Sequence, residues 1–93
     1  MSIKTISNFI AGEFSSSGTT FEKRSPVTNE VIATVAEASR EDVNQAVTSA
    51  RAALRGSWAK IPTADRLDML YAIANEMTRR FDDFVDAETA DTG

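Results

Sequence analysis

The spacing of apolar residues changes near residue 38. Before it, short apolar runs alternate with polar residues or are broken by turn signals; after it, apolar residues recur every three or four positions. Asn8-Phe9-Ile10 and Glu13-Phe14 flank Ala11-Gly12, which predicts a tight hairpin with Gly12 in a positive-φ position. Ser15, Ser16, Ser17 and Gly18 form a polar loop. Thr20–Arg24 alternates apolar and polar side chains and is predicted as a short strand, ended at Ser25-Pro26 because Pro26 has no amide for a ladder. After a turn at Thr28-Asn29-Glu30, the run Val31–Ala36 is β-branched and apolar on both faces. Such a run suits a strand covered on both sides, with partners that these residues need not supply.

The helical half opens at Ser39-Arg40-Glu41-Asp42, where Ser39 can accept from a first-turn amide and the acids suit the positive helix end. Val43, Ala46, Val47, Ala50, Ala53 and Leu54 then draw one narrow apolar stripe, with Gly56 as the stop. Pro62-Thr63 opens a second helix, and Leu67, Leu70, Tyr71, Ala74, Met77, Phe81, Phe84 and Val85 keep helical spacing beyond Arg80. Asp82 and Asp83 suggest a break and restart nearby. Two helices, over 63–80 and 81–91, are predicted, with one bent helix as the alternative. The fold class is an α+β unit: strands within 1–36, helices within 39–92, and no internal repeat.

Length and composition narrow what this unit does. Ninety-three residues make at most one small domain. A net charge of −4 without clustered Lys or Arg argues against a nucleic-acid partner. No apolar run approaches the roughly 20 residues of a membrane helix, so no membrane partner is expected and a cytoplasmic location is the default. The chain has neither cysteine nor histidine, which excludes a thiol nucleophile, a Ser-His-Asp triad and histidine or thiolate metal ligation here. Gly12, Gly18, Gly56 and Gly93 lie too far apart for a dinucleotide fingerprint.

What remains is carboxylate chemistry. Asp82, Asp83, Asp86, Glu88 and Asp91 have the oxygens a hard cation prefers, but helical spacing more simply describes a solvated face. Asp91 stands apart because it sits in a last helical turn, where the macrodipole disfavours an anion. Trp58, Tyr71, Phe81 and Phe84 read as core packing and not as a stacking platform. Ser15 to Ser17 have no base to activate them.

Taken in order, NFIAGEF (8–14), TFEKRSPVTNEVIATVAEAS (20–39), REDVNQAVTSARAAL (40–54), SWAKIPTADRLDMLYAIANEM (57–77) and ETADTG (88–93) resemble the N-terminal region of NAD(P)-dependent aldehyde dehydrogenases. Each piece alone is common; their series is specific. Within the family they look closest to the bacterial 2-hydroxymuconate and 2-aminomuconate semialdehyde dehydrogenases. The resemblance implies an aldehyde substrate, NAD or NADP as cofactor, a homo-oligomer, and a longer chain whose nucleophilic cysteine, general-base glutamate and dinucleotide-binding strands lie beyond Gly93. These residues would then be inactive alone, with a structural task around the cofactor domain. The resemblance also implies a monovalent-cation site in which the backbone carbonyl of Arg24 and the carboxylate of Asp91 are ligands. Ser25 stands where the family has Asn, and Ala90 where it has a larger apolar residue.

Two rivals make different predictions. A complete, non-catalytic α+β interaction module would pair its strands among themselves, use its helical stripes as a partner surface, and unfold cooperatively as a monomer. A segment of a larger enzyme would instead leave the Val31–Ala36 strand and the helical stripes exposed. A small acidic carrier domain would need an attachment serine at a helix start, and Ser39 has no surrounding signature for that role.

Overall fold

A computed structural model describes residues 2–93; the predicted strand half starts at Met1, which lies outside the described residues. The strands are β1 (Lys4–Ile6), β2 (Asn8–Ile10), β3 (Glu13–Ser15), β4 (Thr20–Arg24) and β5 (Val31–Ala36). Three α-helices follow, α1 (Arg40–Arg55), α2 (Thr63–Arg79) and α3 (Phe81–Thr92), with a 3₁₀ turn at Ser57–Lys60 between the first two. The α+β class holds.

The hairpin of β2 and β3 forms at the predicted place, with Phe9 opposite Phe14 and their ring centroids 4.9 Å apart. Its two-residue turn has positive φ at both Ala11 (54°) and Gly12 (80°), the pairing that matches the right-handed twist of the strands. The sequence leaves open whether these residues supply the partners of β5, and the structure supplies two of them. β5 is the middle of a three-stranded sheet in the order β1-β5-β4, parallel to β1 and antiparallel to β4. β1 has no signature in the residues, because Lys-Thr-Ile is too short to show a period. Lys23 faces Ala33 while Arg24 faces Val31, so the register shift leaves Ile32 unopposed, a bulge in β5.

The β4–β5 loop is closed by its own polar groups. The Ser25 amide donates to the Glu30 carbonyl (2.8 Å), and Ser25 Oγ accepts from the amides of Val27 and Thr28. Asn29 takes the left-handed conformation (φ 61°), which Asn tolerates better than most residues. Ser39 caps α1 in a reciprocal box: its Oγ accepts from the Asp42 amide (3.1 Å), and Asp42 accepts from the Ser39 amide (2.9 Å). Pro62 stands just before α2 as its cap residue, one position earlier than a first-turn proline would. The break between α2 and α3 falls at Arg80 (φ −103°, ψ 27°), so Asp82 and Asp83 lie in the first turn of α3 and favour its positive end.

The core is almost absent. Among the described residues only Ala33 (4% exposed) and Ala36 (9%) are buried, and no helix has a buried residue. Trp58, Tyr71, Phe81 and Phe84, expected to pack inside, are all exposed, Tyr71 at 68%. Their helical spacing is real, but α2 and α3 touch only at their joint and no described layer covers them. The chain exposes 7681 Å², where a folded monomer of its mass is expected to expose about 5,300 Å². Its radius of gyration is 16.9 Å, against about 12 Å for a compact domain of this length.

Candidate functional site

A groove of about 850 Å³ runs between the sheet and α3. Ile6, Ile32 and Ala33 line it from the sheet, and Phe84, Ala87 and Ala90 from the helix. The bulge lets the neighbouring residues Ile32 and Ala33 line the same hollow, which strict strand alternation would forbid. Lys4, Lys23, Arg80, Asp83, Asp86 and Asp91 add charge to it.

Of the two ligand candidates Asp91 lines this groove, and Arg24 follows Lys23, another lining residue. Asp91 Oδ1 is 3.2 Å from Lys23 Nζ, so the last turn of α3 is tied to the residue beside Arg24. Gly93 closes against the β4–β5 loop: a Cβ there would come within 2.9 Å of Val27 Cγ2 and 3.6 Å of Pro26 Cγ. The Arg24 side chain points back into its own loop. Its Nη1 donates to the Asn29 carbonyl (2.9 Å) and its Nη2 to Glu22 Oε2 (3.0 Å). Asp91 therefore has a reason to stand at a helix C-terminus: the Lys23 ammonium offsets the unfavourable dipole. Both side chains are partly exposed, which limits the pair to about 0–1 kcal/mol.

As a cation site this corner is incomplete. A hard cation takes about six to eight oxygens; here one carboxylate faces an ammonium, and the carbonyl of Arg24 would be a second donor. The other acids do not converge. Among the described residues no three His, Cys, Asp or Glu side chains gather as a metal site, and Asp83 is engaged by Arg80 at 3.3 Å. No glycine-rich cradle and no nucleophile–base pair is formed among the described residues.

Two elements escaped the sequence reading. Lys23 is one polar position of an alternating strand, and its pairing with Asp91 depends on tertiary placement with no local signature. Arg66 is the second. Its guanidinium donates to the carbonyls of Ile61 (3.0 Å), Trp58 (2.9 Å) and Ala59 (3.2 Å), and it lies 5.2 Å from the centre of the Trp58 ring. It fixes the 3₁₀ turn against the start of α2. Farther along α2, Glu76 and Arg79 form a forked ion pair that includes Arg79 Nε to Glu76 Oε2 at 2.9 Å. The Arg79 hydrogen bonds hold the Glu76 carboxyl below the usual carboxylate range and the Arg79 guanidinium above its own.

Comparison with known proteins gives this geometry a context. The sequence profile of the aldehyde dehydrogenase family matches residues 14–93. The 2-hydroxymuconic semialdehyde dehydrogenase of Pseudomonas sp. (strain CF600) is 47% identical over 98% of the chain, which covers 19% of that protein. A 2-aminomuconic 6-semialdehyde dehydrogenase of Pseudomonas sp. is 45% identical over 98% of the chain, covering 18% of its own length. The NAD+ complex of an aldehyde dehydrogenase from Bacillus cereus superposes with a TM-score of 0.79 at 41% identity, over 83% of this chain and 16% of that one. The chain thus spans about a fifth of the length of the curated relatives it matches.

Proposed function

This chain belongs to the aldehyde dehydrogenase family, and we propose that it serves as the opening segment of an enzyme that oxidises a muconate-type semialdehyde to a carboxylate with NAD. The observation that carries this reading is the pair of semialdehyde dehydrogenases matched over 98% of the chain at 47% and 45% identity. In that enzyme a cysteine thiolate would attack the aldehyde and an activated water would release the acid from the thioester, with NAD supplying the hydride acceptor. All three groups are supplied outside these residues. The part played here is structural: 1–36 contributes strands and 39–92 contributes helices to the larger body. The enzyme would work as a homo-oligomer in the cytoplasm, where it draws on the soluble nicotinamide pool. The test is the product of the extended reading frame: with 2-hydroxymuconic semialdehyde it should form NADH at least about tenfold more efficiently than with acetaldehyde. Absence of NADH formation with either aldehyde overturns the reading.

The Arg24 carbonyl and the Asp91 carboxylate are proposed as two donors of a monovalent-cation site completed by the rest of the enzyme. The Lys23–Asp91 contact supports this by bringing α3 to the Arg24 loop. The full enzyme should melt higher in potassium chloride than in tetramethylammonium chloride, and Asp91→Asn should erase most of that difference. A difference that survives the substitution removes Asp91 from the site.

A further inference from the structure

Charge in the sheet–α3 groove balances without any added ion. Lys4, Lys23 and Arg80 line it against Asp83, Asp86 and Asp91. Arg80 and Asp83 neutralise each other at 3.3 Å, which leaves two ammoniums on the sheet side and two carboxylates on α3. Register places the lysines: Lys4 of β1 and Lys23 of β4 both stand opposite Ala33 of β5, so they share one face of the sheet on either side of a methyl group. At about 4.8 Å per strand, their backbones lie roughly 10 Å apart. Lys23 Nζ meets Asp91 Oδ1 at 3.2 Å, whereas neither Lys4 nor Asp86 has an ion-pair partner among the described residues.

Resting on the cation-site reading above, we infer that the Lys23 ammonium is a tethered competitor of the monovalent cation: it neutralises Asp91 in the absence of the ion and has to leave the carboxylate before the ion binds. Asp91 carries one negative charge, which one ammonium or one ion offsets. Both together leave a surplus positive charge on the face that also holds Lys4. The competitor sits at the right place, since Lys23 directly precedes Arg24, whose carbonyl is the other proposed donor. Arg24 does not substitute for it, because its guanidinium is engaged by the Asn29 carbonyl and by Glu22. Nor does Asp86 substitute for Asp91: it stands five positions earlier on α3, about 7.5 Å back along the axis and about 140° around it. The exchange is physically open, because the two side chains are 37% and 60% exposed and the flexible lysine stem can carry its charge out into water. Lys23 thereby raises the ion concentration the site needs, and keeps α3 tied to the Arg24 loop when the ion is scarce.

The experiment melts the product of the extended reading frame along a series from tetramethylammonium chloride to potassium chloride at constant ionic strength. Lys23→Gln should reach half of its potassium-dependent rise in Tm at about three- to fivefold lower potassium than wild type, the factor that release of an exposed ion pair allows. In tetramethylammonium chloride alone the same variant should melt below wild type, because Asp91 then has no counter-charge. Lys23→Arg keeps a charge and should need at least as much potassium as wild type. Lys60→Gln removes a charge outside the groove and should stay within about 1.5-fold of wild type, since salt screens a distant charge. Rubidium binding by equilibrium dialysis repeats the comparison on the folded enzyme. Equal midpoints for wild type and Lys23→Gln overturn the inference and leave the cation site standing, and so does a Lys23→Arg midpoint as low as that of Lys23→Gln. A potassium-dependent rise missing from wild type and from both Lys23 variants overturns the cation-site reading itself, and the inference with it.

Discussion

The strand β5 and the helix α2 are both rich in apolar residues, yet they end in opposite situations. β5 has β1 on one edge and β4 on the other, and its Ala33 and Ala36 are the two buried residues among those described. The α2 helix satisfies its backbone internally, so it keeps its shape with nothing against its apolar arc. A strand requires neighbours to exist as a strand at all, and a helix does not. The edge pairing of β5 is therefore complete, while the helices and the outer residues of the sheet, Ile6 (49% exposed) and Phe21 (51%), carry the unfinished packing.

That contrast is broken or upheld most directly by placing one charge on each side of it. Ala33→Asp puts a carboxylate where almost no solvent reaches, and the cost is expected to be about 3 kcal/mol or more. Amide exchange across β4 and β5 should then rise to that of the loops. In the isolated chain Leu70→Asp changes an exposed side chain and should shift stability by no more than about 0.5 kcal/mol. If both substitutions cost the same, α2 has a neighbour that this structure does not show and the contrast fails.

The same contrast explains what could be read in the residues beforehand. Turn chemistry and caps depend on a few adjacent residues, so the Ala11-Gly12 hairpin, the Ser25-Pro26 stop and the Ser39 cap were all legible. The resemblance in the ordered motifs pointed to the family that the comparisons support. Tertiary relations were not legible. Nothing in Lys4–Ile6 announced a parallel partner for β5, and nothing near Lys23 pointed to Asp91. The aromatic stripe gives helical spacing but no information on what would cover it, so Tyr71 and Phe81, read as core packing, stand exposed here.

A second, smaller test concerns the joint between the turn and α2. Arg66→Ala removes three hydrogen bonds from a charged donor to backbone carbonyls, together with the contact to Trp58. The expected local loss is about 2 kcal/mol. Trp58 is the sole tryptophan, so its fluorescence reports the event directly: emission should move toward that of a free indole, with α1 unchanged by amide exchange. Arg66→Lys should recover only part of the effect, since a point charge cannot span three carbonyls. Full recovery by lysine would mean that charge alone orders the joint.

The hairpin offers a change in the opposite direction. Ala11 holds a φ of 54°, a conformation in which its Cβ costs about 1 kcal/mol. Ala11→Asn creates the Asn-Gly pair favoured in this turn and should stabilise β2 and β3 by about that amount, seen as slower exchange of their paired amides. No slowing would show that the turn is held by Phe9 and Phe14 and not by its own backbone preference.

The smallest effect lies on the exposed polar side of α2. The Arg79 hydrogen bonds lower the Glu76 carboxyl; desolvation opposes them, and the Arg80 charge adds a smaller lowering pull. A carboxyl lowered on folding contributes stability above its unfolded value, near 4.5, and loses that contribution as pH falls through the folded value. Glu76→Gln should therefore reduce α2 helicity slightly at neutral pH and make no difference once the pH has fallen through the lowered folded-state value and the wild-type carboxyl is protonated. Solvent and salt screen a pair this open, so the neutral-pH difference should also shrink in about 1 M salt. A difference that persists at low pH would mean that Glu76 supports the helix by propensity and packing, leaving the polar side of α2 without an electrostatic contribution of its own.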